Sequence, residues 1–155
     1  MTYPVEIRSC PALRLAGLLN IGPYSGLGAA YERLSRLVGD RRLWPRVQGA
    51  ASIGHDNPRR TAPEALRAHA CFIVTEVAGI APPLDEIRYP AGRRAVLLLT
   101  GPYDGLPEAY RFLMDRWLPA SGERMAGPMP FEIYLDAPGT RPEAALRTEI
   151  HLPLA

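Results

Sequence analysis

Apolar and polar residues change their period several times along the chain. Alternation at Val5–Arg8 and Leu84–Tyr89 is typical of half-buried strands. The segments Leu13–Leu19 and Arg94–Leu99 follow these. The second is a continuous apolar run flanked by Gly and Pro, which indicates a strand buried on both faces. The pattern therefore predicts two pairs of strands, one near the start of the chain and one near its middle.

The period then becomes that of an amphipathic helix, after Ser25 and again after Asp104. The apolar residues with i, i+3, i+4, i+7 spacing are Leu27, Ala30, Tyr31, Leu34 and Leu37 in the first helix, and Leu106, Ala109, Tyr110, Leu113 and Trp117 in the second. Ser25 and Asp104 can each accept a backbone N–H as an N-cap. Gly39 is expected to end the first helix and Pro119 to limit the second.

Each predicted helix is followed by two more strands. These are residues 50–56 with 68–77, and residues 130–136 with 148–153. The segments between them are polar and contain Pro and Gly, as loops do.

The chain also repeats itself. Gly22–Leu34 and Gly101–Leu113 are identical at 8 of 13 positions, with an offset of 79, and the match continues at Ile53 and Ile133 with an offset of 80. Such a repeat indicates two copies of one supersecondary unit. We therefore expect a single domain, residues 1–155, of the α+β class. Two β-α-β-β repeats, about 1–78 and 82–155, would form a largely antiparallel sheet with two main helices.

Composition narrows the function classes. The net charge is +2, every basic residue is Arg, and the Arg pairs are isolated, so the sequence has no basic stripe for nucleic acid. No apolar run approaches the roughly 18 residues of a membrane span, and the N-terminus has no signal-peptide pattern. Cys10 and Cys71 make no disulfide framework. We expect a cytoplasmic protein with no membrane and no direct nucleic-acid contact.

Differences between the repeats indicate where function lies. Glu132 and Tyr134 share one face of their strand, and the equivalent residues of the first repeat are Ser52 and Gly54. Small residues opposite large ones leave room for a pocket, in which a ligand cation can pair with the carboxylate. Alternatively, Glu132 lies on a wet sheet face or pairs with an Arg.

Several aromatic residues are candidate partners of Glu132, because aromatic faces attract organic cations. They are Tyr134, Trp117, Tyr110, Trp44 and Phe72. Aromatic residues at helical spacing also commonly belong to a core. Tyr31 and Tyr110 match across the repeat and are read as scaffold. Tyr24 and Tyr103 match as well, and are read as packing the turn before each helix.

Other polar residues give weaker indications. Glu149 is either a second partner for a cation or an ordinary charge on the neighbouring strand. His55, His69, Cys71 and His151 lack the paired spacing of a metal site, so no metal is expected. The glycines between Gly22 and Gly28 resemble a turn into a helix and not a phosphate-binding loop. No cofactor is expected.

Three segments together resemble the GyrI-like family. They are the Gly-Pro-Tyr turn before a helix, the strand Phe131–Leu135 that carries Glu132, and the closing segment Thr148–Leu154. This bacterial small-molecule-binding module also forms the effector domain of AraC-type and MerR-type multidrug regulators. The resemblance implies a duplicated β-α-β-β fold with a cleft on a pseudo-dyad. It also implies that aromatic residues line the cleft and that a buried glutamate pairs with lipophilic cations.

The resemblance leads to a main functional hypothesis and two alternatives. A free-standing effector-binding protein would bind lipophilic, often cationic, molecules through Glu132. Some members of the family are hydrolases of cyclopropane-bearing genotoxins, in which case Glu132 would be catalytic. The founding member inhibits DNA gyrase, so gyrase or a separate transcription regulator is a possible protein partner.

Overall fold

The computed structural model describes residues 1–155. The strands are β1 (Val5–Cys10), β2 (Leu13–Ile21), β3 (Val47–Gly54), β4 (Arg67–Val74), β5 (Asp85–Tyr89), β6 (Gly92–Thr100), β7 (Phe131–Tyr134) and β8 (Arg147–Pro153). The helices are α1 (Leu27–Asp40), α2 (Leu106–Arg111) and α3 (Leu118–Ser121), and a π-helical turn at Phe112–Trp117 joins α2 to α3. No helix combines the length and the apolar character that spanning a membrane requires.

The chain forms two compact units. Unit 1 consists of Met1–Pro11 and Ala91–Ala155, and unit 2 of Ala12–Pro90. The strands of unit 1 are hydrogen-bonded in the order β1-β6-β8-β7, and those of unit 2 in the order β5-β2-β4-β3. All these neighbours are antiparallel. The predicted α+β class is therefore confirmed, and both units use the same strand order.

The first strand of each predicted repeat pairs with strands of the other repeat. β1 lies beside β6 in unit 1, and β5 lies beside β2 in unit 2. Each compact unit therefore contains the first strand of one sequence repeat and the remaining strands of the other repeat. The boundaries of the sequence repeats, about 1–78 and 82–155, stay a prediction.

In each unit, one face of the four strands packs against helix. In unit 2 the buried core includes Ala30, Leu34 and Val38 of α1 with Ala16, Ala70 and Phe72 of the strands. In unit 1 it includes Ala109 and Leu113 of the helical region with Leu97, Ile150 and Leu152. Leu34 and Leu113 are fully buried, and each such side chain stabilises the fold by about 1.5–3 kcal/mol. The apolar helical stripes predicted from the sequence thus form the two cores.

The turns that enter the helices differ from the expected N-caps. Ser25 and Asp104 lie in 3-10 turns, and the helices begin after Gly26 and Gly105 without a hydrogen bond from a capping side chain. The prediction of N-caps at Ser25 and Asp104 is therefore wrong, because each 3-10 turn displaces the start of the helix beyond these residues.

The helical region of unit 1 contains one extra residue relative to α1. The repeats match with an offset of 79 before the helices, yet the residues with left-handed backbone after them, Arg42 (φ 56°) and Gly122 (φ 75°), are 80 apart. A π-helical turn is how a helix accommodates a single inserted residue. Neither Gly39 nor Pro119 ends its helix, since the helices continue to Asp40 and Ser121.

A repeated ion pair closes the hairpin of each unit. The Asp56 carboxylate accepts hydrogen bonds from the backbone N–H of Arg67 at 2.8 Å and from its guanidinium at 2.9 and 3.1 Å. Asp136 accepts the same three bonds from Arg147, at 3.0, 3.0 and 2.9 Å. These contacts explain why the aspartate and the arginine recur together in the two repeats.

Gly17 leaves the space in which a side chain of β4 reaches across β2. A Cβ at Gly17 would lie 2.9 Å from the Cys71 sulfur and 3.1 Å from His69 Cδ2. His69 passes over this glycine to bond Asp85 of β5 at 2.8 Å. We expect Gly17→Ala to lower the free energy of unfolding by about 1–3 kcal/mol, because the added methyl overpacks a buried site. Urea-induced unfolding measures this.

Gly28→Ala is the matched control. Gly28 is exposed in α1, and no atom lies within 4 Å of the place that an added Cβ would take. An alanine there should stabilise the helix by about 0.5–1 kcal/mol. Equal stability of the Gly17→Ala variant and the wild type would contradict the proposed crowding at β2.

Candidate functional site

The pairing of β7 with β8 determines which way Glu132 and Tyr134 face. Glu132 is opposite Ile150 and Tyr134 is opposite Thr148. Ile150 belongs to the core under the helical region of unit 1. Because side chains opposite each other in a sheet share a face, Glu132 and Tyr134 lie on the helix side of the sheet. Both side chains are partly buried.

Tyr110 and Trp117 lie on this helix side of unit 1 as well. Both rings pack against the core that contains Ile150 and are partly buried. The structure therefore places four of the predicted site residues, Glu132, Tyr134, Tyr110 and Trp117, on one side of one sheet. Packing against the core also supports the scaffold interpretation of the two helical rings.

A further tyrosine adjoins this group. The ring of Tyr103 meets that of Tyr134 edge to face, with centroids 5.5 Å apart and an angle of 67° between the planes. Partial burial raises the pKa of the Tyr103 phenol, and the negative charges of Asp136 and Glu132 raise it further. The Tyr103 side chain is thus a neutral phenol within electrostatic reach of Glu132. We call Tyr103, Glu132 and Tyr134 the acidic–aromatic group.

From the sequence alone, Tyr103 is expected only to pack the turn before its helix. The sequence feature that points to Tyr103 is the difference between the repeats at Gly54 and Tyr134, because Tyr134 is the residue that contacts this ring.

Two of the predicted aromatic residues belong to unit 2 and contact each other there. The rings of Trp44 and Phe72 are 5.2 Å apart, and Tyr31 lies 6.1 Å from Phe72. Phe72 is buried in the core, whereas Trp44 is 47% exposed. Trp44 therefore presents an aromatic surface at the end of this group of tilted rings.

Glu149 lies on the opposite side of the sheet from Glu132. It is paired with Ile133, the residue between Glu132 and Tyr134. Its carboxylate accepts a hydrogen bond from Arg8 at 2.6 Å and is 3.0 Å from His151 Nε2. The hydrogen bond from His151 and the pairing with Arg8 lower the pKa of Glu149 to about 2, although burial acts in the other direction. The Glu149 carboxylate is therefore already bound by Arg8 and His151 within the protein.

The network of Glu149 extends to the start of β7. His151 is buried and stacks on Phe131 with centroids 5.1 Å apart, and the Arg94 guanidinium lies 5.3 Å from the centre of the same ring. Burial lowers the pKa of His151, despite the neighbouring Glu149. These contacts fix the residue that precedes Glu132.

Two histidines of unit 2, His55 and His69, contact each other, and His69 also contacts Asp85. His55 Nε2 is 2.7 Å from His69 Nδ1, and His69 Nε2 is 2.8 Å from Asp85. These separations are those of hydrogen bonds, so the three side chains form a hydrogen-bonded chain. Cys71 is fully buried, and burial raises the pKa of its thiol, so it is not a reactive thiolate. The sequence had not singled out Asp85.

A pocket of about 240 Å³ opens elsewhere in unit 2, beside Arg14, Gln48 and Thr75. The Arg14 guanidinium donates to the carbonyl of Thr75 at 2.9 Å and to Glu86 at 2.7 Å. Because the charged group of this pocket is already engaged and no predicted site residue lines it, we do not assign it a ligand.

The role of Glu149 is testable through the dependence of stability on pH. We expect Glu149→Gln to lower the free energy of unfolding at pH 7 by roughly 2 kcal/mol, because Arg8 and His151 lose a charged acceptor. The pKa of Glu149 is about 2 in the folded protein against an ordinary value of 4.5. Its contribution is therefore complete above pH 4.5 and is lost as the pH falls towards 2.

Urea unfolding of both proteins between pH 7 and pH 2 measures this contribution. The difference between wild type and variant should shrink steadily below pH 4.5. Glu143→Gln, at an exposed position of the same unit, is the control and should change stability little at any pH. A difference that stays constant down to pH 2 would show that the Glu149 charge is not held as described.

The chain is similar to a known protein family and to named bacterial proteins. A family model described as a GyrI-like small molecule binding domain matches residues 3–155. The probable transcriptional regulator YgiV of Escherichia coli K12 is 34% identical and covers 100% of this chain and 98% of its own length. A protein of Edwardsiella piscicida named DNA gyrase inhibitor is 33% identical, covering 84% of this chain and 86% of its own.

Solved structures share the fold. The crystal structure of the EcmrR C-terminal domain matches with a TM-score of 0.77 at 21% identity, over 100% of this chain and 99% of its own. The structure of SAV2435 bound to tetraphenylphosphonium matches with a TM-score of 0.64 at 14% identity, over 100% of this chain and 94% of its own. At these identities the likeness establishes the fold alone.

Proposed function

Because this chain belongs to the GyrI-like family of small-molecule-binding domains, we propose that it binds lipophilic, often cationic, molecules and that Glu132 holds their charge. The observation that carries this proposal is the placement of Glu132. Glu132 is partly buried on the helix side of unit 1, on the same strand face as Tyr134. The equivalent residue of the first repeat is Ser52, so the acid is not required by the fold.

Physical chemistry favours a cation as the ligand. A carboxylate near apolar groups loses part of its hydration, and an incoming cation compensates for this loss. Aromatic faces attract the same cation through their quadrupole, by about 0.5–2 kcal/mol for each well-placed ring. Tyr103, Tyr134, Tyr110 and Trp117 supply such rings in unit 1. Trp44 and Phe72 stay predicted ligand contacts, with Trp44 favoured by its exposed ring.

The similar proteins support the same class of ligand and a regulatory role. SAV2435 is bound to tetraphenylphosphonium, which is a lipophilic cation, and YgiV is named as a probable transcriptional regulator. We propose by analogy that this chain acts as a sensor or carrier of such molecules. A cytoplasmic location is part of the proposal, supported by the free, buried thiols of Cys10 and Cys71.

We assign Glu149 to structure and not to the ligand, because Arg8 and His151 already hold its carboxylate. Glu132 is also the residue that would act in the hydrolase alternative, as a general acid or base towards a strained electrophile. The experiment below separates binding from turnover.

Replacing Glu132 by Gln should weaken the binding of cations selectively. We expect the Kd for tetraphenylphosphonium to rise at least tenfold, which corresponds to about 1.4 kcal/mol, because the variant keeps the shape of the side chain and loses its charge. The Kd for the neutral triphenylphosphine oxide should change less than about twofold. Isothermal calorimetry or fluorescence quenching of the tryptophans measures both.

Glu143→Gln removes one negative charge from an exposed position of the same unit and controls for net charge. An equal loss of affinity for cation and neutral compound in Glu132→Gln would contradict the charge-pairing role. Turnover of a cyclopropane-bearing electrophile that disappears in Glu132→Gln would assign the hydrolase role instead.

The gyrase alternative derives support from the Edwardsiella piscicida relative, which is named as a DNA gyrase inhibitor. A supercoiling assay with purified gyrase tests it. Inhibition by the wild type that is insensitive to Glu132→Gln would establish a protein partner whose surface lies outside the acidic–aromatic group.

A further inference from the structure

The two repeated Gly-Pro-Tyr turns place equivalent tyrosines in different surroundings. In unit 2 the Tyr24 hydroxyl donates a hydrogen bond to the backbone carbonyl of Asp56 at 2.6 Å. Its ring lies directly over Gly54, where an added Cβ would be 3.1 Å from the hydroxyl oxygen and 3.3 Å from Cζ. The lack of a side chain at Gly54 is thus what permits the position of Tyr24.

In unit 1 the residue that corresponds to Gly54 is Tyr134. The strand registers support this equivalence, because Gly54 is opposite Ala68 and Tyr134 is opposite Thr148, and both pairs differ by the same offset of 80. A Cβ at this position crowds the place that Tyr24 occupies in unit 2. Tyr103 therefore lies against the Tyr134 ring, with centroids 5.5 Å apart.

This displacement changes what the Tyr103 hydroxyl does. It makes none of the hydrogen bonds that fix Tyr24, and its ring lies edge to face against that of Tyr134. The negative charges of Asp136 and Glu132 act on its phenol. Partial burial and those two carboxylates raise the pKa of the phenol, so it stays protonated at neutral pH. The hydroxyl is therefore a hydrogen-bond donor on a partly exposed side chain that packs against Tyr134, which shares a strand face with Glu132, the acid proposed to hold a ligand cation.

We propose that Tyr103 is a ligand-contacting residue whose hydroxyl donates a hydrogen bond to an oxygen acceptor of the ligand while Glu132 holds the ligand's positive charge. The preferred ligands are accordingly lipophilic cations that also carry a carbonyl or ether oxygen. This inference rests on the proposed function of Glu132. It adds a selectivity that a carboxylate and apolar rings do not supply. A partly buried donor favours ligands that offer it an acceptor, because a ligand without one leaves the donor unpaired.

The chain itself contains the matched control. Tyr24→Phe removes a hydroxyl that is bonded to the protein backbone, and Tyr103→Phe removes one from the equivalent turn that lacks those bonds. We expect Tyr24→Phe to lower Tm by roughly 2–4 °C and to leave ligand affinity unchanged. Tyr103→Phe should keep Tm within about 1 °C of the wild type.

Two phosphonium cations separate charge from hydrogen bonding. Tetraphenylphosphonium has no oxygen, and (4-acetylphenyl)triphenylphosphonium differs from it by one acetyl group. We expect the wild type to prefer the acetylated cation, and Tyr103→Phe to raise its Kd roughly three- to tenfold, as the loss of one hydrogen bond predicts. The Kd for tetraphenylphosphonium should change less than about twofold, because Phe keeps the ring.

Failure of the role proposed for Tyr103 gives a different result from failure of the proposed binding function. If the wild type binds both cations with dependence on Glu132 but Tyr103→Phe changes neither Kd, the role of Tyr103 alone is overturned. A loss of Tm in Tyr103→Phe equal to that in Tyr24→Phe would make the hydroxyl structural and would also overturn it. If the wild type binds neither cation, the proposed function fails and this inference fails with it.

Discussion

Buried apolar packing between helix and one face of the four antiparallel strands constrains the position of the polar side chains in each unit. Leu34 and Leu113 belong to these two cores and are fully buried. Because successive strand residues face opposite sides, burial of Ile150 under the helical region of unit 1 also sets the direction of its neighbours. A shift of one residue in the pairing of β7 with β8 would exchange the two faces and expose the core.

Two glutamates on adjacent strands receive opposite roles from this constraint. Glu132 is directed to the helix side with the aromatic rings, and Glu149 to the other side, where Arg8 and His151 bind it. Their residue types are identical, and only the register separates them. The stack of His151 and Arg94 on Phe131 fixes the first residue of β7, so the network of the structural glutamate helps to position the one that we propose to be functional.

The repeat provides an internal comparison that separates scaffold from function. The Asp–Arg pairs Asp56–Arg67 and Asp136–Arg147 are the same in both units and close the same hairpin. Positions that differ, such as Gly54 and Tyr134, change what an otherwise equivalent neighbouring side chain contacts. The extra residue in the π-helical turn is another such difference, and it lies in the helical region that carries Trp117.

The sequence by itself determined the α+β class, the strand and helix positions and the asymmetry at Glu132 and Tyr134, because periodicity and repetition are local properties of the chain. It misplaced the helix starts at Ser25 and Asp104, since a 3-10 turn and an N-cap favour the same residue types. It could not assign Glu149 to Arg8 or identify the different surroundings of the Tyr103 hydroxyl. Those facts depend on strand register and on space between side chains distant in sequence, and only the tertiary structure decided them.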